Sequence, residues 1–267
     1  MHLLYQTRFS YLGQSGWQSE ASKDETLLFA PERMQRRFEL FEKITLASLK
    51  AQSDPEFKLI LLTSSRMPDQ DATLLAELTQ DMLGGDRVEI LSRAPRMAGR
   101  VFRGHVQDRY AAEEQLCQVV LDDDDALSLD FTEVCRREAI RALETDYDGD
   151  PSRFLSFARG ANMLLEEGQP IRLSDKYTPM VNLGLALASR ADTEKHPYLT
   201  HHLAIGQNHP SVIINTLRPF YLRTIHDQND SRTPHKTNWM GPEEVAQVLD
   251  YFPFMRPYFD LAEDTAA

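Results

Sequence analysis

The sequence predicts an α/β fold built on a doubly wound, mostly parallel sheet, with a more mixed C-terminal half. Continuous apolar runs of strand length occur at 2–6, 57–63 and 116–121, the pattern of strands buried on both faces. The stretches between them read largely as helices, giving a β-α-β-α-β-α-β alternation with connections of crossover length. No internal repeat, low-complexity tract or linker divides the 267 residues, so a single domain over 1–267 is the simplest organisation.

Taken in order, the first strand breaks into Thr7-Arg8-Phe9-Ser10 and a loop rich in Gly, Ser and Gln that runs to about Lys23. From Pro31 to Gln52 the pattern is helical. Pro31 suits a first helical turn, and Phe38, Phe41, Ile44, Leu46 and Leu49 fall mostly on one face. Asp54-Pro55 stops that helix before the strand at 57–63, which ends in a loop at 64–68. A helix at 69–83 is closed by Gly84-Gly85, and 88–91 is the next strand. The basic stretch Arg93, Arg96, Arg100 and Arg103 reads as a loop, and 108–115 as a helix before the strand at 116–121. Asp130 is the expected N-cap of a helix near 130–142. Beyond it come a turn at 147–151, a strand at 153–159, a hairpin across 163–174, and a strand or short helix at 181–189. Strands at 212–215 and 219–225 and a helix at 243–252 complete the chain.

Composition narrows the function. Acidic side chains outnumber basic ones 41 to 29, a formal charge of −12. A nucleic-acid polymer or an anionic membrane surface calls for a positive face, so both are disfavoured. The hydrophobic content of 42% is enough for a proper core. Cys117 and Cys135 are the only cysteines, too few for a disulfide framework or a four-cysteine zinc site, and they suit a reducing cytoplasm. No apolar run is long enough for a transmembrane helix, and the N-terminus lacks a secretory pattern. A cytoplasmic protein is expected, with peripheral membrane contact left open.

The outstanding feature is Asp122-Asp123-Asp124-Asp125, directly after the strand at 116–121. Four successive carboxylates repel one another, and burial would raise their pKa values. Open α/β sheets bind ligands beyond the carboxyl ends of their strands, and oxygen-rich clusters suit Mg²⁺, Mn²⁺ or Ca²⁺. In an extended segment Asp122 and Asp124 would share one side and Asp123 and Asp125 the other.

Taken with Thr7-Arg8-Phe9-Ser10, Arg37-Phe38-Glu39-Leu40-Phe41, Ser48-Leu49-Lys50-Ala51-Gln52 and the late His226-Asp227-Gln228-Asn229-Asp230-Ser231, this run resembles the nucleotide-sugar glycosyltransferases of GT-A type. More narrowly, it resembles the bacterial putative rhamnosyltransferase family, over roughly residues 2–232. The resemblance implies a GT-A-like (Rossmann-like) sheet, with 1–127 as nucleotide-binding half and 128–267 as acceptor-binding half with a C-terminal helix. It implies a metal-dependent transfer of a sugar, rhamnose among the candidates, from a nucleoside-diphosphate donor to a glycan or glycolipid. Asp122, Asp124 and His226 would hold Mn²⁺ or Mg²⁺. Thr7, Arg8, Phe9, Ser64, Asp122 and Asp123 would contact the nucleotide, Arg8 by pairing with phosphate and Phe9 by stacking on the base. Ser64 and Ser65 stand where many relatives carry a base-contacting aspartate, a departure that leaves the nucleotide open. No Glu-Asp pair marks the catalytic base, for which Asp175 and His202 are the alternatives. Asn182 and Gly184 are candidates for the acceptor pocket.

Two other readings compete. A nucleotidyltransferase of related architecture would want a Gly-rich basic loop after the first strand, and none is present. A non-catalytic divalent-cation-binding or interaction protein could use the acidic run, but the spacing of an EF-hand loop is absent.

Overall fold

The computed structural model describes residues 1–14, 20–145, 149–227, 229 and 238–259. Part of the Gly/Ser/Gln-rich loop, part of the turn at 147–151, and Gln228, Asp230 and Ser231 of the late motif lie outside the described residues.

The main sheet has seven strands, ordered β10-β6-β9-β4-β1-β2-β3. These are β1 (His2–Arg8), β2 (Lys58–Ser64), β3 (Val88–Arg93), β4 (Gln115–Val120), β6 (Arg153–Phe157), β9 (Ala186–Arg190) and β10 (Ser211–Ile214). Only β9 runs antiparallel to its neighbours, pairing with β4 and β6. A smaller sheet, ordered β5-β11-β7-β8, is made of β5 (Ala126–Leu127), β7 (Arg159–Leu164), β8 (Arg172–Tyr177) and β11 (Tyr221–Ile225). This is the mostly parallel, helix-flanked sheet with a mixed C-terminal half that the GT-A resemblance implies.

The continuous apolar runs are explained by helices on both faces. Leu3, Tyr5, Leu59, Leu61, Cys117 and Val119 point into one core, while Leu4, Ile60, Leu62 and Leu116 point into another. On the first side lies α1 (Pro31–Leu40), prolonged by a π-helical turn (Phe41–Leu46) and by Ala47–Lys50. With it pack α2 (Asp69–Leu83) and α4 (Phe131–Leu143), through Phe38, Phe41, Leu75 and Phe131. On the second side α3 (Ala98–Arg109) buries Phe102 and Val106. A third core joins the small sheet to α5 (Pro242–Leu249) and to Leu40 and Ile44 of the long helix.

Two local expectations are corrected. The helix expected at 108–115 ends at Arg109 and begins at Ala98. Arg100 and Arg103, read as part of a basic loop, lie within it, because Ala98, Phe102 and Val106 recur every four residues and make one buried stripe. Asp130 stands at the N-cap position of α4 without capping it. Its carboxylate instead takes a hydrogen bond from Ser128 and pairs with Arg218.

Candidate functional site

Sheet register assembles the site. In the parallel pair β1·β4, Gln6 is level with Val120, so two residues further on Arg8 is level with Asp122. Arg8 Nη2 lies 2.7 Å from Asp122 Oδ1. The acidic run then carries the chain from the large sheet into the small one, where Ala126 pairs with Leu222 in the antiparallel β5·β11. Residues before 126 therefore meet residues after 222. Thr224 N donates to Asp125 Oδ1 at 2.8 Å, and His226 Nε2 lies 3.0 Å from Asp124 Oδ2.

The run is a turn centred on Asp123 and Asp124 rather than an extended segment, so the expected two-sided alternation does not occur. Each carboxylate has its own environment. Asp122 keeps 28% of its side chain exposed and faces Arg8. Asp123 and Asp124 are buried and both pair with Arg37, at 3.1 Å each. Asp125 is buried against the small sheet, and its carbonyl accepts from Thr45 Oγ1 at 2.9 Å within the π-helical turn.

These environments separate the acidities. Burial would push the Asp124 carboxyl up, but the hydrogen bond with His226 and the Arg37 charge bring it below the usual aspartate value. Burial, followed by the charges of Asp124 and Asp122, pushes Asp125 well above that value. Its Oδ1 is anchored by the β11 backbone.

The Arg8 guanidinium is buried, with its carbon 4.4 Å from the centre of the Tyr198 ring. Tyr198 is fixed in turn. Its hydroxyl donates to Gln6 O at 3.1 Å, and its ring stacks on Phe102 and His196. Just past Arg8 the backbone turns through Ser10 at φ 41, a left-handed conformation that non-glycine residues adopt at a cost and that concentrates at functional sites.

The other expected site residues fall as follows. Thr7 is buried in β1, and Phe9 is fully buried against Phe38 and Phe41 at 5.0 and 5.1 Å. The Phe9 ring is core, where no base can stack on it. Ser64 closes β2 and accepts from Arg66 N at 3.1 Å, which shapes the following turn. Asp175 is paired with Arg159 at 2.9 Å on β8. Registers align Asp175 with Ala161, Leu222 and Ala126 across three strand spacings, or roughly 14 Å, so it is not gathered with the acidic turn. His202 Nδ1 lies 2.6 Å from Met180 O, so this nitrogen carries a proton and braces a residue whose φ is 58. Gly184 adopts φ 71 and donates to Val120 O at 2.9 Å, and Asn182 O accepts from Leu185 N, so both shape the loop into β9. Arg93 ends β3. Arg96 and Arg100 line a cavity of about 770 Å³ beside Gln14 and Lys23, while Arg103 pairs with Glu194 at 2.6 Å.

Arg37 and Tyr198 carry roles that the sequence reading leaves unassigned. For Arg37 a signal exists. It stands on the stripe Met34, Phe38, Phe41 at helical spacing, and an arginine on a buried stripe is there to meet a charge.

Two carboxylates and an imidazole are a donor set suited to Mn²⁺ or Mg²⁺. Asp124 Oδ2 and His226 Nε2 stand 3.0 Å apart as a hydrogen-bonded pair, whose shared proton a metal ion would have to displace. Among the described residues no three His, Cys, Asp or Glu side chains converge as a complete metal cluster. Asp122 is turned to Arg8 and does not join Asp124 and His226.

Residues 3–238 match the family described as "Putative rhamnosyl transferase". The chain belongs to this family. Among solved structures it is similar to TarS from S. aureus, at 10% identity and TM-score 0.42, over 84% of this chain and 37% of that one. It is also similar to a putative nucleotide-diphospho-sugar transferase from Desulfovibrio desulfuricans G20, at 10% identity and TM-score 0.35, over 85% and 83% of the two chains. The glycosyltransferase GlyE from Streptococcus pneumoniae TIGR4 is similar at 10% identity and TM-score 0.34, over 85% and 54%. The chain thus spans little more than a third of TarS. No curated protein matches it. No helix among the described residues is long and apolar enough to cross a membrane.

Proposed function

We propose that the protein transfers a sugar, rhamnose first among the candidates, from a nucleoside-diphosphate donor to a hydroxyl of a glycan or glycolipid, with Mn²⁺ or Mg²⁺ at Asp124, His226 and Asp122. The reading rests on one observation above all. At the carboxyl end of β4, Asp124 lies 3.0 Å from an imidazole and 3.1 Å from a guanidinium, with a partly exposed carboxylate two residues away. Bound there, the ion would neutralise charge on the departing diphosphate.

The chain's own residues divide the remaining work. Arg37 balances the buried carboxylates from beneath, keeping the turn in one shape. Arg8, clamped between Asp122 and Tyr198, directs a fixed cation to the end of β1, where the donor's phosphates would lie. The basic cavity of Lys23, Arg96 and Arg100 gives the nucleotide a cationic wall. In the transfer the acceptor oxygen bonds to the anomeric carbon and the bond from that carbon to the diphosphate oxygen breaks. The hydroxyl proton passes to a base, and the nucleoside diphosphate leaves with the electron pair.

The experiment is a panel of UDP-, GDP- and dTDP-sugars incubated with the protein and Mn²⁺, with release of nucleoside diphosphate as readout. Release from one donor class, lost on chelation, supports the reading. Release unaffected by chelation overturns the metal assignment, and no release from any donor overturns the transfer.

A further inference from the structure

A cavity of about 810 Å³ opens beside His226. Its floor is apolar, formed by Leu40 of α1, Ile44 of the π-helical turn, Ile225 at the end of β11 and Met255. Its rim is acidic. Five carboxylates line it against two cations, Arg36 and Lys43, and both cations are tied to the same residue, Glu39, at 2.8 Å. Glu166 is matched from outside the lining by Arg172 at 3.0 Å. Glu32, Glu167 and Asp227 are exposed and have no ion-pair partner among the described residues.

His226 belongs both to this cavity and to the acidic turn, where it meets Asp124. A molecule lying on the apolar floor therefore has one end beside the turn and its polar groups under the acidic rim. The second large cavity has the opposite sign, with Lys23, Arg96 and Arg100 on its wall. Two cavities of opposite charge suit two substrates of opposite charge. The anionic nucleotide fits the basic one, and the acidic one repels anions and attracts amines.

Resting on the glycosyltransferase reading, we infer that this groove is the acceptor subsite and takes an amphipathic acceptor with an amine on its sugar head. The apolar tail lies along Leu40, Ile44 and Met255, and the ammonium faces Glu32, Glu167 and Asp227. A phosphorylated or carboxylated head is rejected by the same three groups.

A matched set of octyl glycosides tests this by direct binding to the apo protein, below the amine's pKa and below micelle formation. The heads are glucosamine, glucose and glucuronic acid. The amine should bind tightest and the acid weakest, with about a fivefold step between neighbours at low salt that shrinks as salt is added. Glu32→Gln with Glu167→Gln, both on exposed positions, should flatten the ranking and leave the neutral glucoside's affinity in place. Equal binding of all three heads, a reversed order, no binding of any, or an unchanged ranking in the double variant overturns the inference. Donor hydrolysis without acceptor, measured on the same preparations, separates the two readings. If it persists while the ranking fails, only the groove assignment falls; if it too is absent, the glycosyltransferase reading falls.

Discussion

Arg37 Nη1 lies 3.1 Å from Asp124 Oδ2, with both side chains buried, and its other amino group is 3.1 Å from Asp123 Oδ1. One guanidinium from α1 thus offsets two carboxylates of the acidic turn. Removing it leaves two buried carboxylates without their cation, a loss of about 3–5 kcal/mol for a broken buried pair. Arg37→Met should show that loss in urea unfolding, and Arg37→Lys a smaller one, because an ammonium cannot fork to both partners. A change below about 1 kcal/mol in Arg37→Met would mean that the turn does not depend on this pair.

Tyr198 should matter through Arg8. Its ring faces the guanidinium at 4.4 Å, and a desolvated cation–π contact contributes about 2 kcal/mol. Tyr198→Leu should raise KM for the donor on the order of tenfold with a smaller effect on kcat, while Tyr198→Phe, which keeps the ring, should stay within about twofold. Equal defects in the two variants would move the role from the ring to the hydroxyl.

His196 makes the neighbourhood acid-sensitive. It is fully buried, its Nδ1 accepts from Tyr198 N at 3.1 Å, and burial, helped by the Arg103 charge, lowers its pKa from 6.5 to about 3. The folded state therefore refuses a proton that the unfolded chain accepts. The stability involved is complete above pH 6.5 and is lost as pH falls toward 3, at up to about 1.4 kcal/mol per pH unit. His196→Asn keeps an acceptor for Tyr198 N–H without the titration. Chemical denaturation between these limits should give it a shallower pH slope than the wild type, and identical slopes would assign the acid sensitivity elsewhere.

The strands of the parallel sheet were legible because burial on both faces demands the apolar runs seen at β1, β2 and β4. The long helix was legible because its apolar stripe, closed by Asp54-Pro55, is local. Helix α3 was not, since its three arginines obscure a stripe of only Ala98, Phe102 and Val106. Within the site, the acidic run and Arg8 could be read from their place after strands. The approach of His226 to Asp124 follows from strand register across 102 positions of chain, and no local pattern encodes it. Phe9 was misread for a related reason. A residue after a strand can turn to ligand or to core, and contact with Phe38 and Phe41 decided for the core.

Asp124 and His226, with Asp122 beside them, are the residues proposed to hold a divalent cation together with the donor's diphosphate. Thermal unfolding in UDP, GDP and dTDP, each with Mn²⁺ or with EDTA, tests this proposal most directly. One nucleotide should stabilise the wild type only when Mn²⁺ is present, by about 2.7 kcal/mol at a concentration about 100 times Kd, and Asp124→Asn should abolish the effect. Equal stabilisation in EDTA, or an Asp124→Asn response matching the wild type, would contradict it.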